Sequence, residues 1–219
     1  MLDKKSANCL PNQLIFCYFT TLLDFMTTVN ITDYNFLETL KAETSEAHQQ
    51  LEQLQISRAI VSPEITNQQY FTYLSKMLSV NKAIESQVFP MVESVFPDID
   101  QRYKSKWLEA DLVHDDGNVE ASGEFTFQAQ LTLGMAVGIM YVIEGSTLGG
   151  RYILQNISAN LDFDADHGAS YFAGYGNKSG AFWKSFLNNL QEFEKKNDGD
   201  EIIKGANIAF SSIYKFLSE

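Results

Sequence analysis

This chain of 219 residues predicts an all-α protein with a single compact domain. Three observations carry that expectation. Apolar residues recur at helical spacing in one segment after another. No stretch sustains the two-residue alternation of a half-buried strand. Only four prolines punctuate the chain, and no repeat or low-complexity tract divides it. Sixteen phenylalanines and ten tyrosines supply a large core, which excludes a disordered chain. One domain accommodates this length.

The first helix is expected from Tyr34 to about Leu54, where Leu37, Leu40, Ala47 and Leu51 share one stripe and Asp33 stands as N-cap. The stretch "SPEITNQQYFTYLSKMLSVNKAIESQVF" predicts a second, with Ser62 as cap, Pro63 in the first turn and Pro90 ending it after Phe89. A shorter helix covers "DQRYKSKWLEADL", followed by a loop at "VHDDGN". A long glycine-bearing helix is expected from Phe125 to about Leu161. Turn residues crowd "DFDADHGASYFAGYGNKSG", which predicts irregular backbone. Two last helices follow, "AFWKSFLNNLQEFEKK" and "DEIIKGANIAFSSIYKFL", parted at "NDGD".

The formal net charge of -12 argues against nucleic acid, whose binding needs basic patches. Cys9 and Cys17 have no metal-ligand spacing to each other or to a histidine. With no other cysteine there is no disulfide framework, and a reducing cytoplasm is the expectation. Residues 1–25 differ from the rest. Lys4 and Lys5 precede "LIFCYFTTLL", too short for the roughly 20 apolar residues of a membrane span. No small-residue cleavage site follows, and Asp24 interrupts. Residues 1–25 are therefore expected to be an extension, non-native or disordered, ahead of a domain over 26–219 with Met26 as an alternative start.

The long helix carries its glycines in a pattern. On a helical wheel, Gly138, Gly145 and Gly149 fall within about 60° of Gly134, while Gly150 points elsewhere. Each glycine costs about 0.8–1 kcal/mol against alanine inside a helix, so four cost about 3–4 kcal/mol. Two accounts offset that cost. A neighbouring helix packs close against bare backbone, or a flat ligand lies on it while the Gly149–Gly150 pair lets the helix bend.

Of three histidines, His114 and His167 lie in polar, loop-like surroundings and are expected in solvent. His48 is different. It follows Leu40 by eight residues and Thr44 by four, on the apolar stripe. Glu52 stands one turn on, where a carboxylate orients one ring nitrogen and leaves the other for a metal. A satisfied core histidine is the plainer reading. One axial histidine with a flat bare face is also what a porphyrin needs.

These residues resemble the heme oxygenase family, specifically its bacterial biliverdin-producing, phytochrome-associated branch. The matching pieces are "TSEAH" followed by Leu51 and Glu52, "WLEADL", "YVIEGSTLGGRYI", "YFAGYGNKSGAFWKSF" and "GANIAFSSIYKFL", in family order over about residues 36 to 217. The resemblance implies a heme oxygenase-like helical bundle with a kinked distal helix and heme held between that helix and the first. It implies His48 as iron ligand, Glu52 as its support, and Gly145, Gly149 and Gly150 as the distal glycines over the heme. Lys41 and Lys184 match residues that meet heme propionates, though each also reads as a solvated surface lysine. Tyr141 and Tyr175 match pocket or propionate contacts, though aromatic core is the plainer reading for both.

Ser146 stands where many relatives have an aspartate that organises proton-delivering water, and the phytochrome-associated branch tends to serine here. Asn188 replaces a propionate-binding arginine of some members. The implied activity is oxidative cleavage of heme to biliverdin, carbon monoxide and ferrous iron. Oxygen and electrons from a ferredoxin or flavin reductase drive it, with a phytochrome as biliverdin acceptor. The rival is a non-catalytic heme carrier or sensor on the same fold, motivated by Ser146. The thiamine-salvage hydrolases, which share the architecture, need a cysteine that the helical region lacks.

Overall fold

A computed structural model describes residues 31–114, 122–127 and 129–219, with side chains described from Phe36 onward. The expected extension over residues 1–25 lies outside the described residues. The chain is all-α among those described: α1 (Ile31–Gln53), α2 (Gln55–Ile60), α3 (Asn67–Gln87), α4 (Phe89–Val92), α5 (Ser105–Leu112), α6 (Leu133–Asn160), α7 (Ser170–Ala173), α8 (Ser179–Glu194) and α9 (Gly199–Ser218). Single 3-10 turns lie at Ile99–Gln101 and Gly176–Lys178.

Several boundaries differ from the sequence expectation, each for a local reason. Helix α1 already runs at Ile31, so Asp33 lies inside it and is not its cap. The second predicted helix begins at Thr66 instead of Ser62. Thr66 Oγ1 accepts from the Gln69 amide while the Gln69 side chain accepts from the Thr66 amide, a reciprocal capping box. Ser62 instead accepts from the Glu64 amide in the turn leading there. Short helix α2 has no side-chain cap to announce it in the sequence. Residues 125–127 and 129–131 are not helical. Thr132 caps α6 by accepting from the Met135 amide.

Helix α6 is the centre of the molecule and continues unbroken through Gly145, Gly149 and Gly150. Ala136, Val137, Ile139 and Met140 are fully buried on it. By length and composition it is apolar enough to cross a membrane, but 67% of its most apolar window is buried inside the protein. Its main neighbour is α9, and bare backbone makes that contact possible. A Cβ at Gly138 would collide with the Ile202 carbonyl oxygen and lie 2.7 Å from the Ala206 nitrogen, and one at Gly134 would lie 2.7 Å from Glu201 Cβ. Gly205 of α9 returns the favour against Met135. Close helix packing is therefore the right account of Gly134 and Gly138.

Helix α1 also packs on α9, yet α1 and α6 hardly touch one another. Two helices standing on a shared third, with little contact between them, leave a slot. On the far side of α6, Asp111 fixes the irregular segment. Its carboxylate accepts from the Ser170 and Tyr171 amides at 2.9 and 2.8 Å and from the Ser170 hydroxyl at 2.7 Å. His167 is exposed, as expected, and His114 is half-buried; their rings lie 4.2 Å apart beside Phe163.

Candidate active site

The slot between α1 and α6 is a cleft with a cavity of about 150 Å³, open to solvent at its mouth. Helix α1 contributes Lys41, Thr44, Ser45, His48 and Leu51; α6 contributes Tyr141, Val142, Ile143, Gly145 and Ser146. Phe210, Ile213 and Leu217 of α9, Tyr73 and Met77 of α3 and Ser57 of α2 complete its mainly apolar lining.

His48 reaches the slot because α1 turns its stripe inward: Leu40 and Thr44, eight and four residues earlier, are buried. Thr44 satisfies its hydroxyl on the Leu40 carbonyl at 2.7 Å and adds no free donor to the wall. The imidazole stands edge-on to Phe210, centroids 5.6 Å apart. Its Nδ1 lies 3.6 Å from Glu52 Oε1, an electrostatic contact longer than a hydrogen bond. Burial lowers the His48 pKa and keeps the ring neutral. The same burial pushes the Glu52 carboxyl up to about 7.

On the opposite helix, Gly145 and Ser146 line the slot. Ser146 Oγ donates to the Ile143 carbonyl at 2.8 Å, which spends its proton and leaves its lone pairs as acceptors. Gly149, one turn further along α6, is outside the slot lining, and a Cβ there would meet nothing within 4 Å. Tyr141 is buried at the slot wall, 5.8 Å from the Trp183 ring centroid, and burial pushes its phenol up to about 12.

Three expected site residues are placed elsewhere. A Cβ at Gly150 would lie 2.7 Å from the Phe172 carbonyl oxygen, so Gly150 admits the backbone of α7 and not a ligand. This agrees with its divergence from the other glycines on the wheel. Tyr175 is turned away from the slot and donates to Glu144 at 3.0 Å. Lys184 is exposed on α8 and is not part of the lining, so of the two lysines only Lys41 reaches it. The reverse misses are the α9 and α3 lining. The periodicity of "GANIAFSSIYKFL" marks Phe210, Ile213 and Leu217 as inward, but nothing in it separates slot from core.

A mainly apolar cleft with a neutral histidine on one wall, Gly145 and Ser146 on the other and Lys41 in its lining fits a porphyrin with anionic edges. The heme oxygenase family model matches residues 34–219. The chain belongs to the heme oxygenase family. Heme oxygenase PigA of Pseudomonas aeruginosa is 27% identical over 175 residues, spanning 77% of this chain and 84% of that protein. A crystal structure of NO- and CO-bound heme oxygenase from Neisseria meningitidis superposes with a TM-score of 0.66 at 22% identity, covering 84% of this chain and 89% of that one. That likeness carries the fold. This heme oxygenase is an oxidoreductase that binds heme and cleaves it to biliverdin, carbon monoxide and ferrous iron. The family is that of the enzyme, and nothing favours the carrier or sensor alternative.

Proposed function

We propose that heme lies in the slot with His48 Nε2 as its iron ligand and the α6 turn at Gly145, Ser146 and Gly149 over its other face. The observation that carries this reading is that His48 and the Gly145–Ser146 turn line one cavity from two helices that hardly touch. Heme bound there supplies both the iron that activates oxygen and the ring that is cut.

Each side chain then has a task. His48 coordinates as the neutral imidazole that burial favours. Glu52 faces its Nδ1 and fixes the ring's orientation. Lys41, at the slot, offers its ammonium to a propionate. Gly145 and Gly149 keep the distal side shallow, so that oxygen is steered toward the ring edge by lack of room. Ser146 Oγ, its own proton given to Ile143, accepts a hydrogen bond from a distal water and positions it to deliver protons. Phe210, Ile213 and Leu217 exclude bulk water from below.

Ser146 in "YVIEGSTLGGR" supports the phytochrome-associated branch and, with it, a ferredoxin or flavin reductase as electron donor, oxygen as co-substrate and a phytochrome as biliverdin acceptor. The absence of a cysteine framework supports a reducing cytoplasm. The test is spectroscopic. Purified protein is mixed with heme and a reductant in air. Loss of the Soret band with growth of biliverdin absorbance is expected; a stable heme complex in the presence of oxygen overturns the reading.

A further inference from the structure

Behind the slot, on the other side of α6, is a buried polar cluster to which heme chemistry assigns no role. Glu144 is 1% exposed, yet carries a carboxylate. Arg102, fully buried, and Lys104, 2% exposed, both pair with it, one on each oxygen. Tyr175 donates its hydroxyl to the same carboxylate and lies 3.2 Å from Lys104 Nζ. Arg102 is itself held by Asp98 at 2.7 and 3.0 Å, and the Tyr175 ring stacks on Phe182 with centroids 4.2 Å apart. No buried side-chain donor or acceptor among the described residues is left unpaired.

Its location is the important feature. Glu144 immediately precedes Gly145 and Ser146, the residues of α6 that line the slot. Glycines at 145 and 149 leave this stretch with few side chains to lock it by packing, and with weak helix propensity. A carboxylate gripped on both oxygens by groups from the 98–104 segment and from Tyr175 restrains both the height and the rotation of the next turn. Many apolar substitutes would stabilise such a site as well as a buried ion pair does. What they would not supply is directional restraint.

We propose that Glu144 is a positioning residue for heme cleavage. Arg102, Lys104 and Tyr175 grip its carboxylate from behind and so hold the Gly145–Ser146 turn at a fixed place over the slot. The clamp itself is independent of any ligand; its effect on turnover rests on heme lying in that slot.

The experiment separates holding from mere stability. The paired variant Lys104→Met/Glu144→Leu fills the cluster with apolar groups of similar size, while Arg102 keeps Asp98. Tyr175→Phe removes one hydroxyl and keeps the stacked ring, and is read alongside in case the pair does not fold. Three quantities are measured: amide hydrogen exchange in the heme-free protein, heme affinity by absorbance titration, and the rate and isomer distribution of biliverdin formed. Exchange at residues 145–150 is expected to quicken at least tenfold in the paired variant and measurably in Tyr175→Phe, without a matching change in α3 or α9. Heme affinity is expected to stay within about threefold while turnover falls at least tenfold or the isomer distribution shifts. Unchanged exchange at 145–150 in folded variants overturns the clamp. Quickened exchange with unaltered rate and isomers overturns its role in catalysis. Failure of the unmodified protein to turn over heme would instead strike the reading of the slot.

Discussion

Gly149 and Gly138 belong to the same helix and nearly the same face, about eleven residues or three turns apart, yet the structure assigns them opposite consequences. At Gly149 a Cβ meets nothing within 4 Å. Gly149→Ala therefore gains helix propensity without a clash, up to about 1 kcal/mol, which for a domain of this size raises Tm by about 2–4 °C. Gly149→Leu gains nearly as much, because leucine ranks close to alanine. At Gly138 the obstructing atoms are the Ile202 carbonyl oxygen and the Ala206 nitrogen, backbone that cannot swing aside. Overpacking of that kind costs about 1–3 kcal/mol and outweighs the propensity gain. Gly138→Ala should lower Tm by several degrees while whatever remains folded still binds heme. Heme titration should give the reverse order: in the proposed pose a leucine at 149 extends into the space over the heme, so Gly149→Leu loses affinity or turnover steeply, and Gly149→Ala is milder. Thermal melts of the heme-free variants and heme titrations are run on the same preparations. If Gly149→Leu melts low and its folded fraction still degrades heme normally, Gly149 is a packing glycine and the distal wall has been misassigned.

Further expectations concern single groups. His48→Ala should keep the fold and lose the axial ligand, changing the heme spectrum, with free imidazole restoring part of turnover; an unchanged spectrum would make His48 a core residue. Burial raises Glu52 from about 4.5 to about 7, so its contribution to stability is fully present below pH 4.5 and is lost as pH rises through 7. Glu52→Gln should accordingly raise the Tm of the heme-free protein at pH 8 and change it little at pH 4.5; an equal effect at both values refutes the burial argument. Thr66→Ala removes half of a capping box and should cost about 1 kcal/mol, or about 2–4 °C in Tm, with heme affinity untouched. A chain starting at Met26 should match the full chain in melting and heme titration, and a lost helical signal would show that residues 1–25 belong to the fold.

How far the site was legible follows from the range of each interaction. His48 was readable because its cues are local: an inward stripe set by Leu40 and Thr44 and a carboxylate four residues on. Gly145 and Ser146 were readable because "YVIEGSTLGGRYI" is a specific pattern. Gly150 was misassigned for want of one non-local fact, the Phe172 carbonyl that occupies its missing side chain's space. The same holds for Tyr175, whose sequence neighbours give no hint of Glu144, 31 residues away. The start of α6 at Thr132, and not near Phe125, turned on which of several capping residues is used; apolar residues on both sides hide that choice.

By itself the sequence determined that this protein is all-α, because helical periodicity is written residue by residue. It also pointed to the family, and to a histidine and a glycine-bearing turn that the fold brings to one cleft. Tertiary structure decided which glycines meet a neighbouring helix and which face open space, since wheel angle alone cannot say what lies opposite. It decided that α1 and α6 stand apart on α9 and so enclose a slot. It also gathered Arg102, Lys104, Glu144 and Tyr175 from three regions of the chain into one buried cluster. Charges so separated in sequence become partners only when folding removes them from water together, and no local pattern records that meeting.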